Sequence, residues 1–339
     1  MAIVAQTEKL IPLVGWGRVL AGALRSADEL LQAVELTVAD FPEGLSIAQQ
    51  FPVLVPQPFV ELMRKGDPCD PLLLQVLPLA AEEQMHPDFS IDPLGEQDTN
   101  VATGVIHKYH GRVLLLAASG CAVNCRYCFR RHFPYSDNRL GRTQWQAALD
   151  YIAQDASISE VILSGGDPLM LQDERLAELV TAIAQIPHVQ RLRVHSRLPV
   201  VIAERLTEQL TDILTRTRLR STLVLHVNHP RELTPMHAER LGKLRQAGVT
   251  LLNQTVLLKG VNDSAQVLIE LSETLFDHHL LPYYLHVLDR VQGAQHFDVS
   301  STEAYALYQQ MLAQLPGYLV PKLVREEAGQ PHKTPLHAF

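Results

Sequence analysis

From residue 112 onward, the chain alternates between short apolar runs and longer segments with helical periodicity. The apolar runs, which predict strands, are 112–119, 160–166, 191–197, 222–228, 249–260, 283–289 and 318–326. The segments between them, which predict helices, are 143–154, 173–186, 203–215, 234–248, 265–279 and 301–315. This alternation predicts an α/β fold with a parallel sheet and crossover helices. Six or seven such units suit a full or partial β/α barrel better than an open two-layer sheet.

The first 105 residues follow a different pattern. A segment over 26–41 has helical periodicity and opens with the capping pair Ser26 and Glu29. Proline-rich connections without clear periodicity follow it. We therefore predict two regions, a helical and extended N-terminal arm over 1–105 and a β/α barrel core over 106–339 that ends in a functional loop.

Composition narrows the class of protein. The chain has 339 residues, 47% of them hydrophobic, with a net charge of −8 and a pI of about 6.0. This balance gives no reason to expect a nucleic-acid partner. No apolar run approaches the ~18 residues of a membrane helix. Four cysteines, three of them clustered, are too few for a disulfide framework in a chain of this length and favour metal or redox chemistry in a reducing compartment, so we expect a cytoplasmic protein with no membrane partner.

Polar residues gather where the predicted strands end. They occupy 164–167, 195–197, 226–229, Asp289 and Glu326. In a β/α barrel, the carboxyl ends of the strands form the rim that carries the active site. The pattern therefore predicts a single site assembled from several strands.

Three of the four cysteines, Cys121, Cys125 and Cys128, directly follow the first predicted barrel strand. Three thiolates can hold a [4Fe–4S] cluster and leave one iron open to another ligand. A zinc site that adds His132 is an alternative. An incidental group of thiols is less favoured because such thiols oxidise readily. Cys69 is remote in sequence and is interpreted as a packed thiol.

The spacing C-x3-C-x-aromatic-C after a first strand resembles the radical S-adenosylmethionine superfamily, and "SGGDPL" after the second strand resembles its segment that binds the cofactor's amino group. The resemblance implies a partial TIM barrel of (β/α)6 type, a [4Fe–4S] cluster on the three cysteines, and S-adenosylmethionine. The cofactor contacts that it implies are Tyr127, Ser164, Gly165, Gly166, Asp167, His226 and Gln254. A simple tight turn at the glycines, and ordinary polar groups at His226 and Gln254, remain alternatives.

The last predicted strand is followed by "GQPHKTPL", which contains Lys333. This loop resembles the pyridoxal-phosphate segment of the lysine 2,3-aminomutases, and further motifs agree with that family in order from Asp67 to Leu336. Among them are "CRYCFRR", "LLNQTVLLKGVND" and "PYYLHVLD". The resemblance implies an isomerase that converts L-lysine to (R)-β-lysine through a 5′-deoxyadenosyl radical and a 1,2-amino shift on pyridoxal 5′-phosphate. The implied contacts of that cofactor are Lys108, Tyr109, Arg112 and Lys333.

The same resemblance implies how the substrate is held. Arg130 matches the arginine that binds the substrate carboxylate, which suits a planar guanidinium. Asp289 and Glu326 match two aspartates that hold the lysine ε-ammonium. Glu326 keeps the charge but is one methylene longer, which affects the length that the pocket accepts. A solvated position for Arg130 and a capping role for Asp289 remain alternatives.

The segments "GGDPLM", "HSRLPVVI" and "PYYLHVLD" resemble those of the bacterial branch of the family, which supplies β-lysine for elongation factor P. The resemblance implies a reductant of flavodoxin or ferredoxin type, and a ligase that attaches the product to elongation factor P. Other hypotheses stay open at this point. They are an aminomutase for another cationic amino acid, one that makes β-lysine as an osmolyte, and a metal-binding protein without catalysis.

Overall fold

The computed structural model describes residues 15–46, 51–96, 99–134 and 142–336. Within these residues, one sheet of ten strands runs in sequence order from the first strand to the last. The strands are β1 (Asn100–Ala102), β2 (Val105–Tyr109), β3 (Arg112–Ala118), β4 (Glu160–Gly165), β5 (Arg191–Ser196), β6 (Arg220–Leu225), β7 (Thr250–Val256), β8 (Leu281–His286), β9 (Lys322–Arg325) and β10 (Thr334–Pro335).

Strands β3 to β9 pair in parallel, and each of the six connections between them contains helix. The helices of the chain are α1 (Trp16–Ala21), α2 (Ala27–Ala33), α3 (Gln57–Val60), α4 (Pro71–Leu74), α5 (Arg142–Gln154), α6 (Asp173–Ala184), α7 (Leu198–Val201), α8 (Glu208–Thr215), α9 (Pro235–Gln246), α10 (Ala265–Asp277) and α11 (Ser301–Gln314). The first and last strands do not pair with each other in the part described, so the barrel is partial. The predicted (β/α)6 architecture is confirmed.

The sheet is extended by antiparallel strands that the sequence patterns did not predict. Strands β1 and β2 precede the first barrel strand, and β10 folds back on β9. The boundary predicted after residue 105 stays a prediction, and β2 begins at that residue. None of the helices in the described ranges is both long and apolar enough to cross a membrane.

Alternation along each barrel strand separates two faces. On β5, Leu192 and Val194 are fully buried in the main apolar cluster, together with residues of the surrounding helices. Arg193 and His195, at the positions between them, line an internal cavity instead. Successive side chains of a strand point to opposite faces, so the polar residues of these strands face the barrel interior.

The N-terminal arm forms its own apolar cluster, which includes Ala122 and Val123 of the cysteine segment. The predicted capping box of Ser26 and Glu29 is confirmed at the start of α2. The helix predicted to continue to residue 41 is too long, because α2 ends at Ala33. Gly66 N donates to Val34 O at 2.8 Å, and Glu35 turns into the left-handed region with φ 59°.

Candidate active site

One cavity of about 660 Å³ lies inside the partial barrel and is lined by its strands and by the loops that follow their carboxyl ends. Every site residue predicted from the sequence lines it. They are Lys108, Tyr109, Arg112, Cys121, Cys125, Tyr127, Cys128, Arg130, Ser164, Gly165, Gly166, Asp167, His226, Gln254, Asp289, Glu326 and Lys333. Their predicted roles stay predictions, whereas their presence in one chamber is observed.

The three cysteines occupy the turn after β3 as free thiols. Burial raises the pKa of each thiol, to about 11 for Cys128, where the neighbouring Cys125 adds to the effect. A cation would reverse these shifts, since metal ligation requires thiolates. Three thiols on one short turn fit a [4Fe–4S] cluster with one open corner.

The zinc alternative fits less well. His132, its fourth ligand, places Nε2 3.0 Å from the backbone oxygen of Gln292. Within the described ranges, no three Cys, His, Asp or Glu side chains are arranged to hold one metal ion. Three thiols without a fourth protein ligand favour the cluster, which leaves one iron open to another ligand.

A buried charge network holds the cysteine turn against the arm. Arg126 Nε donates to Glu82 Oε1 at 2.7 Å, and Arg131 NH2 donates to Glu82 Oε2 at 2.6 Å. Their side chains are at most 7% exposed. Removing one partner of a buried ion pair is strongly destabilising, so the arm helps to fix the position of the thiols.

The glycines after β4 are needed by the protein's own backbone. Gly165 has φ +124°, and a Cβ there would lie 2.3 Å from Ala118 O. A Cβ on Gly166 would lie 2.4 Å from Gly120 O. Gly166 N donates to Ala118 O at 2.8 Å. The two glycines therefore allow the loop after β4 to pack closely against the backbone that leads into the cysteine turn.

Gly166→Ala is expected to destabilise the protein by about 1 to 3 kcal/mol, because the new methyl group must displace backbone rather than a side chain. Gly317→Ala is the matched control, since a Cβ there meets nothing within 4 Å. Denaturant unfolding of both variants without cofactors measures the difference. Equal stability of the two variants would contradict the contact between the loops.

The carboxylate of Asp167 accepts hydrogen bonds from other residues of the protein. Oδ1 accepts from Ser196 Oγ at 2.7 Å and from Leu169 N at 3.0 Å. Oδ2 accepts from the backbone N of Arg197 and of Leu198, both at 2.8 Å. These bonds oppose the rise in the Asp167 pKa that burial causes. The side chain joins the loops after β4 and β5, so any cofactor contact at this position is left to its backbone.

Lys333 lies at the other end of the cavity, where the β9–β10 pair brings it beside Glu326. Lys333 Nζ donates to Glu326 Oε2 and lies 5.8 Å from the centroid of the Tyr284 ring. Lys108 Nζ lies 3.4 Å from Glu326 Oε1. Burial opposes ionisation of Glu326, but the two lysines outweigh it and lower its pKa to about 2.

The pKa of Asp289 shifts in the opposite direction from that of its neighbour Glu326. Burial, with the negative charge of Glu326, raises the pKa of Asp289 to about 7, and Lys333 only partly compensates. In the described part of the chain its carboxylate has neither an ion-pair partner nor a hydrogen-bond donor. A second cation placed between the two carboxylates would ionise Asp289 and relieve this strain.

Arg130 is held by a carboxylate that sequence reasoning missed. Its Nε and NH2 donate to Glu96 Oε2 and Oε1 at 2.6 and 2.7 Å, and NH1 donates to Ser164 Oγ at 3.0 Å. Both members of the pair are buried. The guanidinium predicted to bind a substrate carboxylate is therefore already joined to the arm through Glu96.

The three residues predicted near the pyridoxal phosphate are engaged to different extents. Lys108 donates to Leu94 O at 3.0 Å as well as approaching Glu326. Burial and Glu326 raise the pKa of Tyr109 well above its usual value. Arg112 stacks 4.7 Å from the centroid of the Tyr109 ring and has no carboxylate partner among the described residues.

The remaining predicted cofactor contacts lie between these two ends. His226 and Gln254 touch through their side-chain nitrogens. Burial, with Arg197 nearby, lowers the pKa of His226 to about 3 and keeps its ring neutral. Tyr127 packs edge-on against Phe297, with 6.2 Å between ring centroids. The cavity is also lined by residues whose role the sequence did not suggest, namely Arg193, His195, Tyr283, Tyr284 and His286.

Comparison with known proteins finds a family model that covers the cysteine turn and relatives that match nearly the whole chain. A family described as a 4Fe-4S single cluster domain matches residues 109–197, which include the cysteine turn. L-lysine 2,3-aminomutase of Haemophilus influenzae is 49% identical over 334 residues, covering 98% of this chain and 99% of the relative. The Escherichia coli enzyme of that name is 50% identical over 322 residues, covering 95% and 94%. That of Clostridium subterminale is 32% identical, covering 95% and 77%.

Membership brings the cofactors of the family, a [4Fe–4S] cluster, S-adenosylmethionine and pyridoxal 5′-phosphate, and the three thiols and Lys333 are the residues in this cavity that suit them. The alternative of a metal-binding protein without catalysis is set aside, because the relatives are aminomutases and the match covers almost their whole length. The chain belongs to the L-lysine 2,3-aminomutase family of radical S-adenosylmethionine enzymes.

Proposed function

We propose that the protein converts L-lysine to (R)-β-lysine with pyridoxal 5′-phosphate on Lys333, in the cytoplasm, for the modification of elongation factor P. The observation that carries the proposal is one cavity that is lined by three partly buried thiols, by Lys333 and by the carboxylates of Asp289 and Glu326. When bound, the cluster with S-adenosylmethionine supplies a radical that removes an unactivated hydrogen, and pyridoxal phosphate carries the migrating amino group.

Lys333 and the substrate compete for one carboxylate. In the structure, Glu326 holds the Lys333 ammonium and orients Nζ over the Tyr284 ring. Once Lys333 is bonded to the cofactor, it no longer presents a full ammonium to Glu326. Glu326 then keeps only Lys108 as a cationic partner among the described residues, and Asp289 has none, so a further cation between the two carboxylates is favoured. The ε-ammonium of L-lysine supplies that cation.

Arg130 is the proposed partner of the substrate carboxylate. Glu96 accepts hydrogen bonds from Nε and NH2 of Arg130. The substrate carboxylate would therefore either replace Glu96 at these two atoms or share the NH1 group with Ser164. Charge-assisted bonds of this kind fix orientation as well as affinity. With the ammonium at Asp289 and the carboxylate at Arg130, the carbon chain between them would lie across the cavity.

Binding of L-lysine is expected to strengthen as the pH rises from 6 to 8. Asp289 has a pKa of about 7 in the free protein, and the substrate ammonium binds its ionised form. Below that pKa, affinity falls by at most about tenfold per pH unit. Asp289→Asn is expected to weaken binding and to flatten the profile, measured as KM for lysine against pH. Asp277→Asn, at an exposed position at the end of α10, is the control and should keep the wild-type profile.

The role in elongation factor P modification rests on the motifs that resemble that bacterial branch of the family. The near full-length match to the enzymes of Haemophilus influenzae and Escherichia coli is compatible with it. We propose that a ligase receives the product, and that a reductant of flavodoxin or ferredoxin type feeds the cluster. The longer side chain of Glu326 favours, as a second candidate, an aminomutase for a shorter cationic amino acid.

The test is anaerobic reconstitution with iron, sulfide, pyridoxal phosphate, S-adenosylmethionine and a reductant. L-lysine, L-ornithine and L-arginine are offered separately, and products are resolved by chiral chromatography with mass detection. (R)-β-lysine from lysine alone is expected. Cleavage of S-adenosylmethionine without β-lysine would remove the lysine assignment, and conversion of ornithine would support the second candidate. Adding purified ligase and elongation factor P then tests transfer of the product by the mass of the factor.

A further inference from the structure

A series of charged side chains with alternating sign runs along the cavity wall. Its members are, in order, Arg130, Glu96, Lys108, Glu326 and Lys333, and we call it the charge series. All five line the cavity, and none of their side chains is more than 22% exposed. Solvent screens such pairs weakly, so a change at one end of the series alters the charge balance at the other.

Glu96 occupies Arg130 in the way that an incoming carboxylate would. Nε and NH2 of Arg130 donate to its two oxygens at 2.6 and 2.7 Å, and NH1 donates to Ser164 Oγ at 3.0 Å. Every nitrogen of this guanidinium therefore donates within the protein. A ligand carboxylate that takes two hydrogen bonds from Arg130 must displace an acceptor, and Glu96 presents the same group in the same bidentate geometry.

A displaced Glu96 needs a second cation, because a buried carboxylate without a partner is costly. Lys108 is in position to supply it, with Nζ 3.8 Å from Glu96 Oε1. The same Nζ donates to Leu94 O at 3.0 Å, which holds the ammonium against the short segment that carries Glu96. A small movement of the Glu96 side chain would therefore exchange Arg130 for Lys108.

Lys108 links this exchange to the other end of the charge series. Its Nζ lies 3.4 Å from Glu326 Oε1, closer than to Glu96. Movement of Lys108 toward Glu96 weakens its contact with Glu326 and leaves more of the Glu326 charge for a ligand ammonium. The coupling is reciprocal, since an ammonium bound at Glu326 releases Lys108 to Glu96 and so favours a ligand carboxylate at Arg130.

We propose that Glu96 is a positioning residue that, through Lys108, makes binding of a carboxylate at Arg130 and of an ammonium at Glu326 cooperative. The inference rests on the proposed function, which brings a substrate with both groups, and it adds a role for Glu96 in selecting that substrate. A molecule with only one of the two groups leaves the charge series unchanged at its other end. The cavity therefore favours molecules that carry both groups beyond the sum of the two contacts.

The experiment is a cycle of ligands that carry both groups, one or neither. They are L-lysine, L-norleucine without the distal ammonium, 1,5-diaminopentane without the carboxylate, and 1-aminopentane without both. Absorbance titration of the anaerobic protein with its cluster and pyridoxal phosphate, but no reductant, gives each Kd without turnover. The coupling factor is the product of the Kd values of norleucine and diaminopentane, divided by the product of those of lysine and aminopentane. We expect at least about fivefold in the wild type.

Glu96→Gln keeps the shape of the side chain and removes its charge, so the coupling factor should fall close to the additive value. Glu96→Asp keeps the charge and should retain part of the coupling. Lys108→Gln should lose the coupling as Glu96→Gln does, which keeps the proposal testable if one variant folds poorly. Glu61→Gln changes an exposed acid of the arm and should keep the wild-type factor. The symmetry of the diamine affects the factor equally in all these proteins.

The outcomes separate this inference from the proposed function. If the wild type binds lysine no more tightly than aminopentane, both fail. If each group strengthens binding but the two effects are additive, only the inference fails. If Glu96→Gln raises the Kd of lysine and of norleucine equally and leaves the factor unchanged, Glu96 merely holds Arg130 in place, and the coupling is overturned. If Lys108→Gln weakens binding of pyridoxal phosphate and leaves the factor unchanged, Lys108 serves the cofactor instead, which also overturns it.

Discussion

Cys125→Ala is expected to abolish formation of β-lysine and to leave the protein without a stable cluster. The structure offers three thiols on one turn, and two cannot hold the corners of a [4Fe–4S] cluster that must also keep one iron open. Iron and sulfide analysis and the visible absorbance of the reconstituted protein measure the loss. Cleavage of S-adenosylmethionine should disappear with the cluster.

Cys69→Ala provides the control for this result, because Cys69 is an exposed free thiol in the arm, and its interpretation from the sequence as a packed thiol was wrong. It should reconstitute like the wild type. A Cys125→Ala protein that kept its full iron content would mean that another side chain supplies a ligand, and His132, which follows the turn closely, would be the first to replace.

Lys333→Ala is expected to lower β-lysine formation at least about 100-fold, the lower end of what a positioned catalytic side chain contributes. The cluster and S-adenosylmethionine cleavage should survive, since Lys333 lies at the opposite end of the cavity from the thiols. Pyridoxal phosphate should no longer be trapped by borohydride. The variant should fold, because Glu326 keeps Lys108 as a partner.

Lys322→Ala is the matched control, because Lys322 is an exposed lysine on β9, near the same hairpin. It should retain both trapping and activity. Retained activity in Lys333→Ala would instead show that the cofactor acts without a bond to this lysine, and the proposed competition for Glu326 would then be wrong.

The sequence was informative where chemistry demands particular residue types at short spacing. The cysteine turn and Lys333 could be selected because three thiolates within eight residues, and a lysine in a loop after the last strand, each match a known requirement. The order of strands followed from periodicity, and their carboxyl ends met as a parallel sheet requires. The structure places these residues in one cavity, while their individual roles await experiment.

The sequence was uninformative where a side chain acts through a distant partner. Glu96 bonds Arg130, which lies 34 positions further along the chain, and no local pattern in its proline-rich segment distinguishes it. The role of Asp167 could not be predicted for the same reason, because three of its four hydrogen-bond donors come from the last residue of β5 and the loop that follows it. Arg193 was not selected either, because alternation on a strand does not reveal which of its polar residues will line the site.

The separation of the two faces of the barrel strands has a consequence for how this enzyme can change. A large apolar cluster lies between the strands and the helices, where Leu192 and Val194 are fully buried. The inward positions are polar and border a cavity, so substitutions there leave that cluster intact. New substrate preferences could therefore be selected at inward positions with little loss of thermal stability, which makes the scaffold a good starting point for laboratory evolution.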